Sequence, residues 1–154
     1  MIVLAIKANA QTNTSNLDKQ VQAIKQKVID WRRYFHQNPE LSNREFNTSK
    51  KVAEHLKSLG IEVKTGVAKT GVVGILKGAK TGPTIALRAD MDALPVTERN
   101  DLPYKSTVTT EYNNQKVGVM HACGHDAHVA MLMGAAEVLS KMKNEIAGTV
   151  VFLF

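Results

Sequence analysis

The sequence predicts an α/β fold in which a mixed sheet is covered by helices. Apolar residues recur at spacings of three and four in the first sixty residues and again after residue 125, which is typical of amphipathic helices. Between these regions, and at the end of the chain, short β-branched or apolar runs are separated by turns that contain glycine or proline. Helices and strands mixed in this way indicate a sheet with helices packed on it.

Two helices are predicted in the first sixty residues. The first runs from Leu17 to about Gln37, follows a polar Gln11–Asn16 segment that we expect to be flexible, and ends before Pro39, because proline cannot continue a helix. The second has Asn43 as its N-cap, a residue type that is common there. It ends at Gly60, since glycine readily adopts the left-handed conformation that closes many helices.

The rest of the chain is predicted as strands with one further helix. Four segments have the alternation or the β-branched content of strands: Ile61–Val63, Gly71–Leu76, Thr84–Leu87 and Gly148–Phe154. A turn is predicted over Gly78–Pro83, and a helix rich in Ala and Met from Asp126 to about Lys143. The last strand ends the sequence on apolar residues, so we expect the chain to be a piece of something longer.

The composition argues against several classes of function. The formal charge is +6, but Lys and Arg are spread along the chain and only 5% of residues are aromatic, so we expect no nucleic acid as a partner. No apolar run approaches the roughly 18 residues that span a membrane, and no membrane interaction is expected. The single cysteine, Cys123, cannot form an intramolecular disulfide and leaves its thiol free.

The N-terminus allows two interpretations. Met1–Ile6 is apolar, and Ala8-Asn9-Ala10 has the small-residue pattern of a signal-peptidase site, so the segment resembles the end of a signal peptide. This interpretation predicts an exported or periplasmic protein. The alternative is an N-terminal segment without a targeting role, in a cytoplasmic protein. In both cases we expect residues 1–16 to precede a domain that comprises residues 17–154.

The strongest signal for chemistry is His121–His128, which contains three histidines, one cysteine and one aspartate. Thiolate and imidazole suit zinc and related divalent ions. Cys123 and His125 are two residues apart, so in an extended segment they face the same side, and Gly124 lets the backbone approach an ion. Asp126 can cap the following helix or orient a histidine. The pattern indicates a metal site, and the alternative is a surface loop rich in histidine.

A second signal is the pair Asp90 and Asp92, directly after the Thr84–Leu87 strand, at the edge where α/β folds place their sites. A carboxylate there can touch a metal ion or orient a histidine that binds one. The alternative is a solvated turn in which aspartate only caps the backbone. The cysteine–histidine segment elsewhere in the chain favours a functional role.

These two segments belong to an ordered series of motifs that extends over nearly the whole chain after Gln11. The series comprises Phe35–Ser42 followed by Glu45, Thr70–Gly74, Arg88–Pro95, Met120–His128 and Val150–Phe154. It resembles the aminoacylase/carboxypeptidase-type metallopeptidase superfamily, in the amidohydrolase branch of hippurate hydrolases, N-acyl-amino-acid deacylases and plant auxin-conjugate hydrolases. Several motifs in the right order make the resemblance specific.

The resemblance implies a reaction and the residues that carry it. Cys123 and His125 match the family's metal ligands. Asp92 matches the aspartate that supports the metal site, and Asp90 stands where relatives carry a metal-binding histidine, so we expect both aspartates to serve catalysis. The complete enzyme is expected to hold two divalent ions (Zn, Mn, Co or Ni) and to hydrolyse N-acyl amino acids, or small peptide-like amides, with metal-activated water.

The resemblance also implies what lies beyond this chain. In the family, the strand that matches Val150–Phe154 leads into a motif with the general-base glutamate, and further histidine ligands and a lid domain follow. We therefore expect an N-terminal part of a catalytic domain, inactive as given and without the lid through which the enzyme could form homo-oligomers. The His36–Glu45 motif is assigned a structural role: His36 as a satisfied helix-end histidine, Glu40 and Glu45 as caps or pairing partners.

Other interpretations compete with this one. The main alternative is a truncated, non-catalytic remnant that binds metal weakly or not at all. Cys123 as a nucleophile with His125 as its base is disfavoured, because residues so close on one short loop seldom have that geometry and no third orienting group is evident. A closed structural metal site requires four ligands. Next to Cys123 and His125, only His121 and His128 could complete such a set locally.

Overall fold

The structure, a computed structural model, describes residues 10–154, and the side chains from Asn16 onwards. The described elements are, in chain order, α1 (Ala10–Gln37), α2 (Phe46–Ser58), β1 (Glu62–Val67), β2 (Gly71–Lys77), β3 (Lys80–Arg88), β4 (Thr109–Tyr112), β5 (Gln115–Gly118), α3 (His125–Lys141) and β6 (Ala147–Leu153). The predicted signal-peptide segment lies outside these residues, except for Ala10. None of the described helices is both long and apolar enough to cross a membrane.

Four strands form one mixed sheet in the order β1-β2-β6-β3. β2 pairs antiparallel with β1 and with β6, whereas β3 runs parallel to β6. α2 packs on β1 and β2 and touches α3, and α1 packs against α3. The predicted α/β fold with a mixed sheet covered by helices is confirmed.

One hydrophobic core joins the sheet to the helices. Val72 on β2 and Phe152 on β6 are fully buried and share this core with Leu56 of α2 and Met133 of α3. Buried residues alternate along β2 and β6, as expected for strands with one face against helices. Phe35 extends the same core to the last turn of α1, so the end of that helix is fixed against the rest of the fold.

The first two helices do not begin where the sequence predicts. α1 begins at Ala10, so it includes the polar Gln11–Asn16 segment that is predicted to precede the first helix. α2 begins at Phe46, and the prediction of Asn43 as its N-cap is wrong. Asn43 has a φ of 63° and lies in a left-handed turn before the helix. Asparagine tolerates that conformation better than most residues, so the same side chain suits a turn as well as a cap.

Both ends of α2 are nevertheless satisfied. Glu40, seven residues before Asn47, accepts backbone hydrogen bonds from Asn47 at 3.1 Å and from Thr48 at 2.8 Å, which confirms the prediction that it caps. A carboxylate at this end also favours the helix dipole. At the other end Gly60, with a φ of 71°, donates its N–H to the carbonyl of Lys57 at 3.0 Å, as the sequence predicts for a closing glycine.

Two strand features differ from the prediction. β4 and β5 form a separate hairpin, closed by Asn113 and Asn114, whose φ angles of 51° and 59° are typical of a two-residue type I′ turn. β3 begins at Lys80, inside the predicted Gly78–Pro83 turn. Its pairing with β6 is irregular after Lys80, and β3 lies at the edge of the sheet, where a proline without an N–H is tolerated.

β6 begins with a close backbone contact that requires glycine. Gly148 has a φ of 96°, and a Cβ on this residue would lie 1.9 Å from the carbonyl oxygen of Pro83. Gly60 has a comparable φ of 71°, but a Cβ there would meet nothing within 4 Å. At Gly148, glycine is therefore required both by the close backbone contact and by the left-handed conformation. At Gly60 it is favoured by the conformation alone.

We predict that Gly148→Ala destabilises the protein by at least about 3 kcal/mol, because backbone strain and a clash with the Pro83 carbonyl add together. Gly60→Ala is the matched control, with an expected loss of about 1–2 kcal/mol from the left-handed conformation alone. Urea unfolding followed by circular dichroism measures both. Equal losses in the two variants would contradict the steric argument.

A charged cluster joins α1, α2 and α3 at the end of the bundle away from the start of α3. Glu137 of α3 is 7% exposed and accepts hydrogen bonds from Lys27 at 2.6 Å and Lys141 at 3.3 Å. His55 of α2 donates Nε2–H to the carbonyl of Met133 at 3.2 Å. Burial lowers the pKa of His55, although the Met133 carbonyl and the Glu137 carboxylate oppose this, and nearby lysines lower it further.

We predict that His55 makes the protein less stable as the pH falls below the ordinary histidine pKa of about 6.5. The unfolded chain takes up the proton first, because the folded state holds the pKa of His55 lower. His55→Gln, which can keep the bond to Met133, should flatten the dependence of unfolding free energy on pH between about pH 7.5 and 5. Both proteins are measured with a metal chelator present, and parallel profiles would contradict the prediction.

Candidate metal centre

The end of β3 and the start of α3 meet through the segments next to them. Leu94 and Met120 exchange two backbone hydrogen bonds, each of 3.0 Å. This bridge aligns the chain that follows β3 with the chain that leads into α3. It therefore brings Asp92 beside His125, the first residue of α3, although 33 residues separate them in sequence.

His125 is held by Asp92 through one ring nitrogen. The Nδ1 of His125 lies 2.9 Å from the backbone oxygen of Asp92 and 3.0 Å from its Oδ1. Both partners are acceptors, so Nδ1 is the donor, and Nε2 is the ring nitrogen left to bind an ion. A histidine fixed in this way by a carboxylate is the usual arrangement of a metal-binding imidazole.

Cys123 lies two residues before His125, and its side chain is exposed. Gly124 between them has a φ of 87° and precedes the first turn of α3 without a side-chain cap. His128 is one turn further along α3, with its ring centroid 6.0 Å from that of His125. A thiol and an oriented imidazole so close together form a donor pair that suits a borderline-soft divalent ion.

The described residues do not assemble a full ligand set. Within residues 10–154, no group of three or more His, Cys, Asp or Glu side chains converges so as to hold a metal ion. His121 and His128 therefore do not complete a closed four-ligand site there. Cys123 and His125 fit a metal centre by donor type and by the orientation of the imidazole, and further ligands would have to come from elsewhere.

Asp90 and Asp92 have different partners. Oδ1 of Asp90 accepts hydrogen bonds from Nε and Nη2 of Arg88 at 2.9 and 2.8 Å, and both side chains are exposed. Both aspartates line a cleft of about 410 Å³, bordered also by Glu45 and Thr70. Glu45 accepts a 2.8 Å hydrogen bond from the Thr70 hydroxyl, which confirms the pairing expected of this glutamate.

Asp126 does not cap α3 but anchors its first turn to α1. This carboxylate is 1% exposed, and its Oδ2 accepts hydrogen bonds from Nδ1 of His36 at 2.8 Å and from Nε of Arg32 at 2.9 Å. Nε2 of His36 donates to Glu98 at 2.9 Å, so the expectation of a satisfied histidine at the helix end is confirmed. Of the two roles considered for Asp126, helix cap or partner of a histidine, the second is observed.

His121 is buried beside this cluster. It is 5% exposed, and neither ring nitrogen has a hydrogen-bond partner among the described residues; the same holds for Oδ1 of Asp126. Burial lowers the pKa of His121 to about 4, against the opposing effect of the Asp126 carboxylate, and nearby His36 and His125 lower it further. A neutral imidazole at this position is therefore the form that the fold favours at neutral pH.

Glu98 is the site residue that the sequence does not reveal. Its buried side chain accepts hydrogen bonds from His36 and from the backbone N–H of Ser106 at 2.6 Å. Burial raises its pKa, but these hydrogen bonds outweigh burial and lower the pKa overall. No periodicity or motif marks this residue, because it lies in an irregular segment and its partner His36 is 62 residues away.

Comparison with known proteins gives the context of this geometry. Residues 86–154 match Peptidase family M20/M25/M40. The chain is 52% identical over 139 residues to thermostable carboxypeptidase 1 of Saccharolobus solfataricus, which covers 90% of this chain and 33% of that protein. It is 44% identical over 134 residues to the N-acyl-L-amino acid amidohydrolase of Geobacillus stearothermophilus, with 87% of this chain and 34% of the relative covered.

The solved structures agree with the sequence comparison. The YXEP protein of Bacillus subtilis, described as a dinuclear metal binding peptidase from the M20 family, has a TM-score of 0.76 and 42% identity, with 86% of this chain and 35% of that chain covered. The present chain thus spans about a third of the length of the relatives it matches. The resemblance inferred from the ordered motifs is confirmed.

We predict that Asp92→Ala weakens binding of Co²⁺ to the protein by about 10–100-fold, because His125 loses the group that fixes its ring. Asp90→Ala is the control, since Asp90 pairs with Arg88 instead, and its binding should stay within about 3-fold of wild type. Titration followed by the thiolate–cobalt absorption measures both. A larger loss in the Asp90 variant would reverse our assignment of the two aspartates.

Proposed function

We propose that this chain, whose residues 86–154 match Peptidase family M20/M25/M40, belongs to that family and acts as a metal-dependent amidohydrolase. In this proposal it cleaves the amide bond of N-acyl amino acids, or of small peptide-like amides, by attack of water. Cys123 and His125 bind divalent ions, Asp92 holds His125, and Asp90 borders the cleft that receives substrate. The observation that carries the proposal is the pair of contacts from Nδ1 of His125 to Asp92.

Two divalent ions, chosen from Zn, Mn, Co and Ni, would supply the Lewis acidity that polarises an amide carbonyl and activates water at neutral pH. The residues of this chain prepare that centre. Asp92 accepts a hydrogen bond from Nδ1–H of His125 and so keeps Nε2 pointing in a fixed direction. Cys123 contributes a thiolate from an exposed position, where an ion can reach it.

The substrate class is supported by the relatives. One of them, from Geobacillus stearothermophilus, is named an N-acyl-L-amino acid amidohydrolase, and another, from Saccharolobus solfataricus, a thermostable carboxypeptidase. Both names describe hydrolysis of an amide next to a free carboxylate. Arg88 lines the same cleft as Asp90 and Asp92, but it is paired with Asp90, so the substrate class rests on the relatives and not on a free cation among the described residues.

A second candidate is a non-catalytic protein that binds metal weakly or not at all. The observation that favours it is the lack of a group of three or more candidate ligands within residues 10–154. Two donors alone give a weak site, because structural and catalytic zinc sites use at least three protein ligands.

One experiment separates these two candidates. The protein is purified as its source makes it, and its intact mass is measured. It is then assayed on N-acetyl and N-benzoyl amino acids before chelation, after chelation, and after Zn²⁺, Mn²⁺, Co²⁺ or Ni²⁺ is returned. Hydrolysis that is lost on chelation and restored by added metal supports the proposal of a metal-dependent amidohydrolase. No hydrolysis with any ion, in a folded protein of 16.9 kDa, supports the non-catalytic candidate.

We predict that Cys123→Ser lowers both metal content and kcat/KM by more than the roughly 10–100-fold that loss of a supporting group causes, because a ligand itself is removed. Metal content is measured by mass spectrometry of the native protein. Turnover is measured with the N-acyl amino acid that the wild-type protein hydrolyses fastest. His128→Gln serves as the control for a neighbouring exposed side chain. If Cys123→Ser abolished turnover but kept its metal, the assignment of Cys123 as a metal ligand would be wrong.

A further inference from the structure

The start of α3 is tied to the rest of the fold by two side chains next to each other. His125 contacts Asp92, which follows β3. Asp126 contacts His36, which lies in the last turn of α1. The first contact fixes the ring of His125, and the second fixes the backbone from which that ring projects. Within the described residues, Gly124 just before them provides no side-chain cap.

His36 occupies the centre of the second anchor. It is 3% exposed and donates hydrogen bonds through both ring nitrogens, from Nδ1 to Asp126 at 2.8 Å and from Nε2 to Glu98 at 2.9 Å. Glu98 is fixed in turn by the backbone N–H of Ser106 at 2.6 Å. A single imidazole therefore connects α1, the first turn of α3 and the irregular segment between β3 and β4.

We propose that His36 is a positioning residue of the metal centre, which acts through Asp126 to hold the first turn of α3 where His125 can bind metal. The inference rests on the proposed function, since it requires a metal at Cys123 and His125. The left-handed Gly124 allows the turn to change direction, so the turn needs an anchor to keep the imidazole on its ligand position. His36 does not touch the metal or the substrate in this role.

Arg32 cannot replace His36 in this role. Its Nε contacts the same Oδ2 of Asp126 at 2.9 Å, but its side chain is 35% exposed, whereas that of His36 is 4% exposed. A long, partly exposed side chain restrains its partner less than a buried ring does. Nη2 of Arg32 also lies 3.4 Å from Nδ1 of His36, but both groups are donors here, so what the two side chains share is the Asp126 carboxylate.

The test uses two substitutions of His36, each of which can keep one of its two hydrogen bonds and loses the other. In His36→Asn the amide nitrogen can take the place of Nδ1 and keep the bond to Asp126, whereas in His36→Gln it can take the place of Nε2 and keep the bond to Glu98. We expect the Asn variant to bind Co²⁺ within about 3-fold of wild type and the Gln variant about 10–100-fold more weakly. The thiolate–cobalt absorption of bound ion should change in the Gln variant.

A matched control removes a second polar bridge between α1 and α3. Lys27→Met breaks the bond to Glu137, in the cluster that contains His55 rather than beside His125. It should lower the melting temperature and leave Co²⁺ affinity within about 2-fold of wild type, because no group near His125 depends on it. Circular dichroism verifies that each variant is folded before it is titrated.

The outcomes are distinct. Equal Co²⁺ affinities of the Asn and Gln variants, or an equal loss in Lys27→Met, would mean that His36 only stabilises the fold, and would overturn the inference alone. Wild-type protein that binds no Co²⁺, or binds it unchanged after Cys123→Ser, would overturn the proposed metal centre and the inference with it. A selective loss in His36→Gln supports both.

Discussion

A buried carboxylate at the start of α3 constrains the arrangement of the helices. Asp126 is 1% exposed, and a charge removed from water is tolerated only when it is paired and hydrogen-bonded. Arg32 and His36 are one turn apart on α1 and reach the same oxygen of Asp126. α1 must therefore lie against α3 in one register, because sliding it by a turn would leave the charge unpaired.

The rest of the contact between α1 and α3 follows from this register. Away from Asp126, Lys27 and Glu137 form a second polar bridge. Between the two bridges Gly134 faces Val28 and Ile24, and a Cβ on this glycine would lie 2.8 Å from Val28 Cγ2. A missing side chain thus lets the helices approach where apolar groups meet. Two polar bridges and one close apolar contact therefore hold α1 against α3.

Much of the fold was predictable from local pattern, and the failures have local reasons. Periodicity indicates the body of α1 but not its first turns, because Gln11–Asn16 has no apolar residue to mark a face. The β4–β5 hairpin is short and mostly polar, and its best signal, Asn113-Asn114, is weaker than the usual Asn-Gly turn. Strands with strong apolar content, such as β2 and β6, were found in nearly correct bounds.

The candidate site was predictable as a set of residues but not as a set of contacts. The motifs identify both aspartates together with Cys123 and His125. Only the three-dimensional structure separates Asp92, which contacts His125, from Asp90, which contacts Arg88. Glu98 could not be found at all, since a lone glutamate in an irregular segment gives no signal until its partner is located.

The order of strands also has a consequence for biosynthesis. β6 is the last of the described strands in sequence but lies between β2 and β3, and β3 has no other partner in the described sheet. β1 and β2 can pair as soon as they leave the ribosome. β3 must wait until the residues through β6 have emerged, which takes several seconds at a synthesis rate of roughly 5–20 residues per second. During that interval the nascent chain presents an unpaired strand, a state in which chaperone binding and premature association compete with folding.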